Sequence, residues 1–364
     1  MTARLDTSPC PVPAWLPDRH TQTLYAAKLA SHHRIAFVRE RVETPDGDFL
    51  DFDWAGPGLF PNRKPPDATL SEVVIPDKVA ATRWMTPHDW QTLPTLQDAP
   101  TLVLFHGLEG GSSSRYAQSI AHYFRARGWI VVIAHFRGCS GHPNRLARAY
   151  YSGDSEEIGF ILQTVRGKLP NARLHAVGVS LGGNALLKYL GEQGAAAQPW
   201  LQAAAGVSVP VDLVAAGMCL SQGLVNRQIY SRFFLRTMKK KVLEKASRYP
   251  GALDVGRIAH ARDLREFDDA YTAPLHGFRN ALDYWNRAAS KPLLAHIEVP
   301  TLVLNARNDP FLPEPALPGP SECSASVLLH QPAEGGHAGF PSGPFPGHLG
   351  WLPQRLARYF ETRL

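Results

Sequence analysis

From Arg173 to Leu190 the chain reads RLHAVGVSLGGNALLKYL, which predicts a strand that turns abruptly into a helix. The apolar run Ala176–Val179 is typical of a buried strand, and the residues after the turn have the spacing of an amphipathic helix. Between them, Gly178–Gly182 has the G-x-S-x-G pattern of a nucleophile elbow. Glycine on both sides omits β-carbons for which so tight a reversal has no room. The pattern predicts that Ser180 lies on the bend with its hydroxyl at a helix N-terminus, where backbone N–H groups stabilise an oxyanion.

Strands and helices alternate on both sides of this turn. Apolar runs of the kind found in parallel sheets lie at Thr101–Phe105, Trp129–Phe136, Ala176–Val179, Ala203–Pro210, Thr301–Asn305 and Ser324–His330. Helical patterns lie at Arg115–Arg127, Ser155–Val165 and Trp351–Arg363. Two earlier strands, Ile35–Thr44 and Asp48–Trp54, flank a Pro-Asp-Gly turn and predict a hairpin of exposed edge strands. The prediction is an α/β fold with an eight-stranded, mostly parallel sheet and helices on both faces.

The segments outside these strands predict the domain organisation. Residues 1–34, rich in proline and aromatic residues, predict an arm that packs on the core, with a gate over a pocket as the alternative. The core is predicted in two parts, 35–210 and 299–364, the first of which carries a proline-rich loop insertion at 56–98. The helical pattern of residues 211–298 predicts a cap that follows the sixth strand.

Composition limits the classes of protein that the chain could be. With 364 residues, 44% hydrophobic and 19% charged, it is expected to be globular. The formal net charge of +6 is mildly basic, and no basic stripe interleaved with aromatic residues predicts a nucleic-acid partner. The four scattered cysteines suit a reducing compartment, and neither a signal peptide nor a membrane-spanning run is visible. We therefore expect a soluble, cytoplasmic protein, whose oligomeric state the sequence leaves open.

A serine nucleophile needs a histidine base with a carboxylate behind it. Asp309 follows the strand that ends at Asn305, and His337 lies in the glycine-rich loop GGHAGF after the last strand. The order serine, acid, histidine is the one that an elbow of this kind uses. We therefore predict a triad of Ser180, Asp309 and His337, with Asp212 as the alternative acid.

The oxyanion that forms during acyl transfer needs two hydrogen-bond donors. We predict the backbone N–H groups of Leu181, directly after the nucleophile, and Leu108, in the loop HGLEGG after the first parallel strand. The same loop lacks the GK[ST] ending of a phosphate-binding loop, so nucleotide binding is not expected. Cys139 is interpreted as a buried thiol at a turn and not as a nucleophile. The spacing of the histidines, cysteines and acids predicts neither a metal nor a cofactor.

The segment Tyr230–Lys241, YSRFFLRTMKKK, mixes apolar and basic residues. We interpret it as a cap helix with a solvated basic face, with an interfacial helix in weak peripheral contact with lipid as the alternative. An apolar lid over Ser180 predicts a small-molecule substrate with a hydrophobic acyl chain.

These motifs together resemble the YheT-like branch of the α/β-hydrolase superfamily. The resemblance runs from about residue 12 to the C-terminus and is carried by WLPDRHTQTL at Trp15–Leu24, TPDGD at Thr44–Asp48, HGLEG at His106–Gly110, HFRGCSG at His135–Gly141, GVSLGGN at Gly178–Asn184 and REFDD at Arg265–Asp269. It implies an α/β-hydrolase fold with a cap, and a triad that falls on Ser180, Asp309 and His337.

The sequence therefore predicts a serine carboxylesterase, similar to a lipase, that cleaves medium-chain or lipid-like esters through an acyl-enzyme. Two alternatives stay open: transfer of the acyl group to an alcohol, and a non-catalytic protein that binds a ligand on a hydrolase scaffold.

Overall fold

A ten-stranded sheet forms the centre of the molecule, with strand order β1-β10-β9-β8-β7-β5-β6-β3-β2-β4. The computed structural model describes residues 2–31, 33–62, 75, 79–92, 99–249, 251 and 253–362. The strands are β1 (Arg4–Asp6), β2 (Phe37–Glu43), β3 (Phe49–Ala55), β4 (Ala81–Trp84), β5 (Thr101–Phe105), β6 (Ile130–His135), β7 (Leu174–Val179), β8 (Ala203–Val207), β9 (Thr301–Leu304) and β10 (Val327–His330). Strands β5 to β10 pair in parallel with one another, so their carboxyl ends lie along one edge of the sheet.

Helices cover both faces of the sheet, as predicted. They are α1 (Arg19–Lys28), α2 (Pro87–Thr92), α3 (Arg115–Arg125), α4 (Ser155–Lys168), α5 (Leu181–Gln193), α6 (Leu213–Leu220), α7 (Arg232–Ala246), α8 (Val255–His260), α9 (Leu264–Phe267), α10 (Ala273–Leu275), α11 (Ala281–Ala288) and α12 (Trp351–Glu361). One face of the sheet is covered by apolar side chains of α4 and α5, among them Ile161 and Leu186. The other face is covered by side chains of α3 and α12, among them Phe124 and Phe360. The α/β fold class is confirmed.

The predicted count of eight strands is wrong, because the sheet also contains β1 and β4. Strand β1 has three residues, two of them exposed, and it joins the sheet through backbone pairing with β10. Strand β4 has four residues and pairs in parallel with β2 across a register shift. Strands this short carry too few side chains for a period-two pattern to be visible. The proline-rich region 56–98, predicted as a loop, thus contains β4 and α2, while its residues 63–74, 76–78 and 93–98 lie outside the described residues.

The hairpin of β2 and β3 is antiparallel as predicted, but its strands are not exposed edge strands. Strand β3 lies between β2 and β6, and all seven of its residues are buried. Its alternating acids look solvent-facing in the sequence, yet they are covered by ion pairs. The Nε of Arg39 lies 2.6 Å from Asp53, and that of Arg41 lies 2.8 Å from Asp51. Paired charges thus replace water on that face of the strand.

Between β8 and β9 the described chain contains helices α6 to α11 and no strand. These helices have small cores of their own, such as the cluster of Leu235, Ile258 and Tyr271. They stand over the carboxyl ends of β5, β7 and β8, where Ser180 and Leu108 line the same cavity as α6 and α7. No helix in the described part of the chain is both long enough and apolar enough to cross a bilayer.

Candidate active site

The turn between β7 and α5 holds Ser180 in a left-handed conformation, with φ 53° and ψ −119°. Its backbone N–H donates to the carbonyl of Val207 at the end of the neighbouring strand, at 2.9 Å. A β-carbon on Gly178 would lie 2.5 Å from the carbonyl oxygen of Gly182, and one on Gly182 would lie 2.5 Å from the carbonyl oxygen of His106. Glycine is therefore required at both positions, because a β-carbon on either residue would overlap a backbone carbonyl oxygen.

His337 lies within hydrogen-bond distance of both Ser180 and Asp309. The hydroxyl oxygen of Ser180 lies 3.0 Å from Nε2 of His337, and Nδ1 of His337 lies 2.8 Å from an oxygen of Asp309. The other oxygen of Asp309 accepts the N–H of Phe311 at 2.8 Å, and the ring of Phe311 packs against the imidazole. Because Asp309 accepts at Nδ1, the imidazole presents an unprotonated Nε2 to the serine, as proton removal requires.

Asp212, the alternative acid, lies at the N-terminus of a helix. Its carboxylate accepts the N–H of Ala215 at 2.9 Å and caps the N-terminus of α6. The structure therefore brings together the three residues of the predicted triad and leaves the alternative acid on a helix cap.

The loop after β5 closely approaches the turn that carries Ser180. A β-carbon on Gly107 would lie 3.2 Å from Cβ of Ser180. The N–H groups of Gly107 and Glu109 donate to the hydroxyls of Tyr116 and Tyr150, and that of Gly110 donates back to the carbonyl of Gly107.

Two backbone N–H groups beside Ser180 are available as hydrogen-bond donors. Within the parts of the chain that the structure describes, neither Leu108 nor Leu181 uses its backbone N–H in a hydrogen bond. These are the two donors that the sequence predicts, and they are the ones that a tetrahedral oxyanion at Ser180 could accept from.

His106 fixes the orientation of one of these donors. Its Nδ1 donates to the carbonyl of Gly107 at 2.8 Å, and its Nε2 accepts the N–H of Phe136 at 3.1 Å. A trans peptide points its N–H away from its carbonyl, so holding the Gly107 oxygen turns the Leu108 N–H to the opposite side. Burial lowers the pKa of His106 to about 3, which keeps the ring neutral. Sequence reasoning gave His106 no role, because its partners are backbone atoms that no motif specifies.

A buried ionic cluster supports the same loop from below. Asp53 pairs with Arg39, lies 2.7 Å from Nε2 of His135 and accepts the hydroxyl of Ser112 at 2.5 Å. Burial alone would raise the pKa of Asp53, but the charges of His135 and Arg39 outweigh it and hold that pKa below its usual range. The cluster thus ties the end of the glycine-rich loop to β2, β3 and β6.

The N-terminal arm holds the loop that carries His337. The hydroxyl of Thr23, on α1, accepts the N–H of His337 at 2.9 Å. The side-chain oxygen of Gln22 accepts the N–H of Gly335 at 3.1 Å and an amide hydrogen of Asn308 at 2.9 Å. Both arm residues are buried. The arm therefore contacts the histidine loop directly, a role that the sequence did not reveal because Thr23 and His337 lie 314 residues apart.

Thr23→Val is expected to lower kcat roughly tenfold with little change in KM, because it leaves the N–H of His337 without an acceptor and loosens the imidazole. Thr23→Ser keeps the hydroxyl and should restore kcat to within about threefold of wild type. Steady-state kinetics on a soluble ester checks both variants. An unchanged kcat in the valine variant would mean that the arm does not position the histidine.

Two cavities meet at Ser180. The first, which we call the cleft, has a volume of about 1190 Å³ and lies between the loop after β5, helix α1 and the start of α7. The second, which we call the apolar cavity, has a volume of about 770 Å³ and lies beneath the helices between β8 and β9. Its apolar lining includes Leu213, Leu220, Phe234, Met238, Phe267 and Trp285. The volume of the apolar cavity is typical of a small-molecule site.

Asp268 borders the apolar cavity and ties its helices together. Its two oxygens accept hydrogen bonds from the hydroxyl of Thr272 at 2.6 Å and the indole N–H of Trp285 at 2.8 Å. The neighbouring Asp269 accepts the backbone N–H of Ala281 at 2.6 Å. Burial raises the pKa of Asp268 to about 6, although both of its hydrogen bonds favour the charged form.

The elevated pKa of Asp268 predicts a pH dependence of stability. Between its ordinary pKa of 3.8 and about 6, the folded protein binds more protons at this site than the unfolded chain does. The contribution of this carboxyl to stability therefore falls as pH rises through that window. Asp268→Asn removes the titration, so the variant should gain in melting temperature relative to wild type between pH 4.5 and pH 7.5.

Asp254→Asn is the matched control, because it replaces the carboxylate that caps α8 with another good N-cap residue. Thermal unfolding of the three proteins at both pH values checks the prediction. A difference between Asp268→Asn and wild type that stays constant with pH would contradict it.

Comparisons with known proteins agree with this architecture. A family model described as "alpha/beta hydrolase fold" matches residues 100–208. The chain is 33% identical over 347 residues to "Putative esterase YheT" of Escherichia coli (strain K12), with 95% of this chain and 91% of that protein covered. It is 28% identical to "Medium-chain fatty acid ethyl ester synthase/esterase 2" of Saccharomyces cerevisiae, with 93% and 82% covered. The solved Pyrococcus furiosus esterase Pf2001 superimposes with a TM-score of 0.51 at 12% identity, over 92% of this chain and 99% of that one, a likeness of fold.

The sheet, the elbow and the family match define the chain as an α/β hydrolase. Its identity to YheT over nearly the whole of both chains places it in the YheT-like branch, so the predicted family is confirmed.

Proposed function

We propose that the protein is a serine hydrolase that cleaves hydrophobic carboxylic esters through an acyl-enzyme. The observation that carries the proposal is the hydrogen-bonded series from Ser180 through His337 to Asp309, placed where the cleft and the apolar cavity meet. A serine in this setting is an activated nucleophile.

In the proposed reaction the hydroxyl oxygen of Ser180 bonds to the ester carbonyl carbon while His337 takes the hydroxyl proton. The carbonyl oxygen becomes an oxyanion that accepts hydrogen bonds from the N–H groups of Leu108 and Leu181. The carbon–oxygen bond to the alcohol then breaks, and His337 gives its proton to the departing alcohol. Water repeats the sequence on the acyl-enzyme, and the free acid leaves. Asp309 stabilises the imidazolium at each stage.

The apolar cavity supports a hydrophobic acyl group as the substrate. It begins at Ser180 and Leu181 and is bordered by aromatic and aliphatic side chains such as Phe234 and Trp285. Burial of each methylene in such a cavity contributes about 0.8 kcal/mol, so longer acyl chains should bind more tightly until the cavity is full.

A series of p-nitrophenyl esters from acetate to laurate tests the proposal. We expect turnover whose kcat/KM rises with acyl length and then declines when the chain outgrows the cavity. Absence of turnover across the whole series, together with saturable binding of an ester or fatty acid, would favour the non-catalytic ligand-binding alternative.

Acyl transfer to an alcohol is a second candidate, favoured by the yeast relative whose name includes both synthase and esterase. The acyl-enzyme would be common to both reactions, and only the acceptor differs. Adding ethanol to the ester assay distinguishes them: transfer predicts an ethyl ester among the products, whereas hydrolysis predicts the free acid alone.

A further inference from the structure

Exposed apolar side chains border the cleft that leads to Ser180. Phe233, at the start of α7, and Ile229, just before it, line the cleft and are 46% and 43% exposed. Leu29 follows Lys28 of α1, which also lines the cleft, and is 72% exposed. Side chains of this kind usually lie in a core, so a group of them around one opening indicates a contact surface.

The two chain segments that supply these side chains are free of acids. No Asp or Glu occurs between Asp18 and Glu40, nor between Asp212 and Glu244. Four exposed cations from these segments line the cleft: Lys28, Arg34, Arg232 and Arg236.

These cations are not neutralised by carboxylates in the described part of the chain. Lys28 lies 4.5 Å from the ring centroid of Phe233, and Arg232 contacts the amide of Gln228. Glu109, the acid that lines the cleft, is already paired with Lys241 at 2.9 Å. The rim of the cleft therefore carries unbalanced positive charge beside exposed apolar groups.

We propose that this rim docks on the surface of an anionic lipid bilayer. The docking face consists of Lys28, Leu29, Arg34, Ile229, Arg232, Phe233 and Arg236. Basic side chains next to exposed leucine, isoleucine and phenylalanine are the combination that binds a bilayer interface, with cations at the headgroups and apolar groups at the acyl boundary. A nucleic acid would match the charge and leave the apolar side chains in water. This inference rests on the proposed function, because docking places the mouth of the cleft where a lipid-like ester would enter.

Co-sedimentation with vesicles tests the inference. The protein used is the Ser180→Ala variant, otherwise unaltered, so that lipid is not consumed during the measurement. We expect binding to vesicles of phosphatidylcholine that contain about one third phosphatidylglycerol, weak binding to phosphatidylcholine alone, and release at high salt.

Charge reversal at the docking face supplies the decisive variant. Arg232→Glu with Arg236→Glu should lower the vesicle partition coefficient at least ~20-fold, because each cation near an anionic surface contributes roughly a fivefold change. The matched control, Arg125→Glu with Arg173→Glu, changes net charge equally, but these exposed residues lie at the end of α3 and before β7, at the opposite edge of the sheet. Leu29→Asn tests the apolar contribution at an exposed helix end and should weaken binding severalfold.

Circular dichroism establishes that each variant is folded. Equal loss of binding in the two charge-reversed proteins, or equal binding to neutral and anionic vesicles, would overturn the inference. Hydrolysis of a soluble short-chain ester by wild-type protein is measured separately. Turnover without vesicle binding would refute the docking face alone, whereas vesicle binding without turnover would refute the proposed function alone.

Discussion

Ser180→Ala is expected to lower kcat/KM for a soluble ester by at least ~10⁴-fold, because it removes the atom that would form the acyl-enzyme. The fold should be unaffected. The hydroxyl of Ser180 makes no capping hydrogen bond to helix α5, and a methyl group occupies the same β-carbon position as the serine side chain. Steady-state rates and thermal unfolding of the purified variant check both statements.

Cys139→Ala is the matched control for this variant, because the thiol of Cys139 is the alternative nucleophile to be tested. Its side chain lines the cleft, and burial raises its pKa to about 12, which keeps it a neutral thiol. Activity of Cys139→Ala should stay within about threefold of wild type. The account would be wrong if Ser180→Ala kept its turnover, and wrong about the nucleophile if Cys139→Ala lost it.

Asp309→Asn is expected to lower kcat by about 10⁴-fold through the tautomer of His337. One oxygen of Asp309 accepts the N–H of Phe311, and the other accepts Nδ1 of His337. If the amide oxygen of the variant keeps the Phe311 bond, its NH₂ group faces Nδ1. The imidazole then carries its proton on Nε2, where it points at Ser180 and cannot accept the hydroxyl proton.

Asp212→Asn is the control for Asp309→Asn, because asparagine caps a helix about as well as aspartate does. We expect activity within about threefold of wild type. A pH–rate profile of each protein separates a chemical defect from a folding defect. If Asp212→Asn were the variant that lost activity, the carboxylate behind the histidine would have been misassigned.

The fold class follows from the sequence because each local pattern agrees with its neighbours. A central apolar strand, a glycine-flanked bend and an amphipathic helix predict the β7–α5 unit. Buried apolar strands of the same kind predict β5, β6, β8 and β9. Strands β1 and β4 could not be predicted in this way. They have only three or four residues and are held by backbone pairing, so their side chains show no period-two pattern.

The sheet also contains a misleading pattern. Alternating acids in β3 predict an exposed strand, and the structure buries them instead. The reason is the position of Arg39, which lies directly across from Asp53 on the neighbouring strand. A buried ion pair and a solvated charge use the same residue types, so only the pairing of strands distinguishes them.

Some residues of the candidate site could be predicted from the sequence, and others could not. Ser180, Asp309 and His337 could be proposed from sequence because each follows a predicted strand, and the structure places them within hydrogen-bond distance. Thr23 and His106 could not, because each acts on a backbone group of a loop whose position is set by the whole fold. A motif can identify the residue that carries a reactive atom. Thr23 and His106 also lie within motifs, but a motif does not show which peptide group such a residue orients.

Labelling with a fluorophosphonate tests the central claim most directly. The reagent reacts with an activated serine and leaves an unactivated one unmodified. Folded wild-type protein is predicted to gain a single adduct, which peptide mass spectrometry locates on Ser180, and the adduct should be absent from urea-unfolded protein and from Ser180→Ala. Folded protein that stays unlabelled, or an adduct on a different residue, would contradict the account.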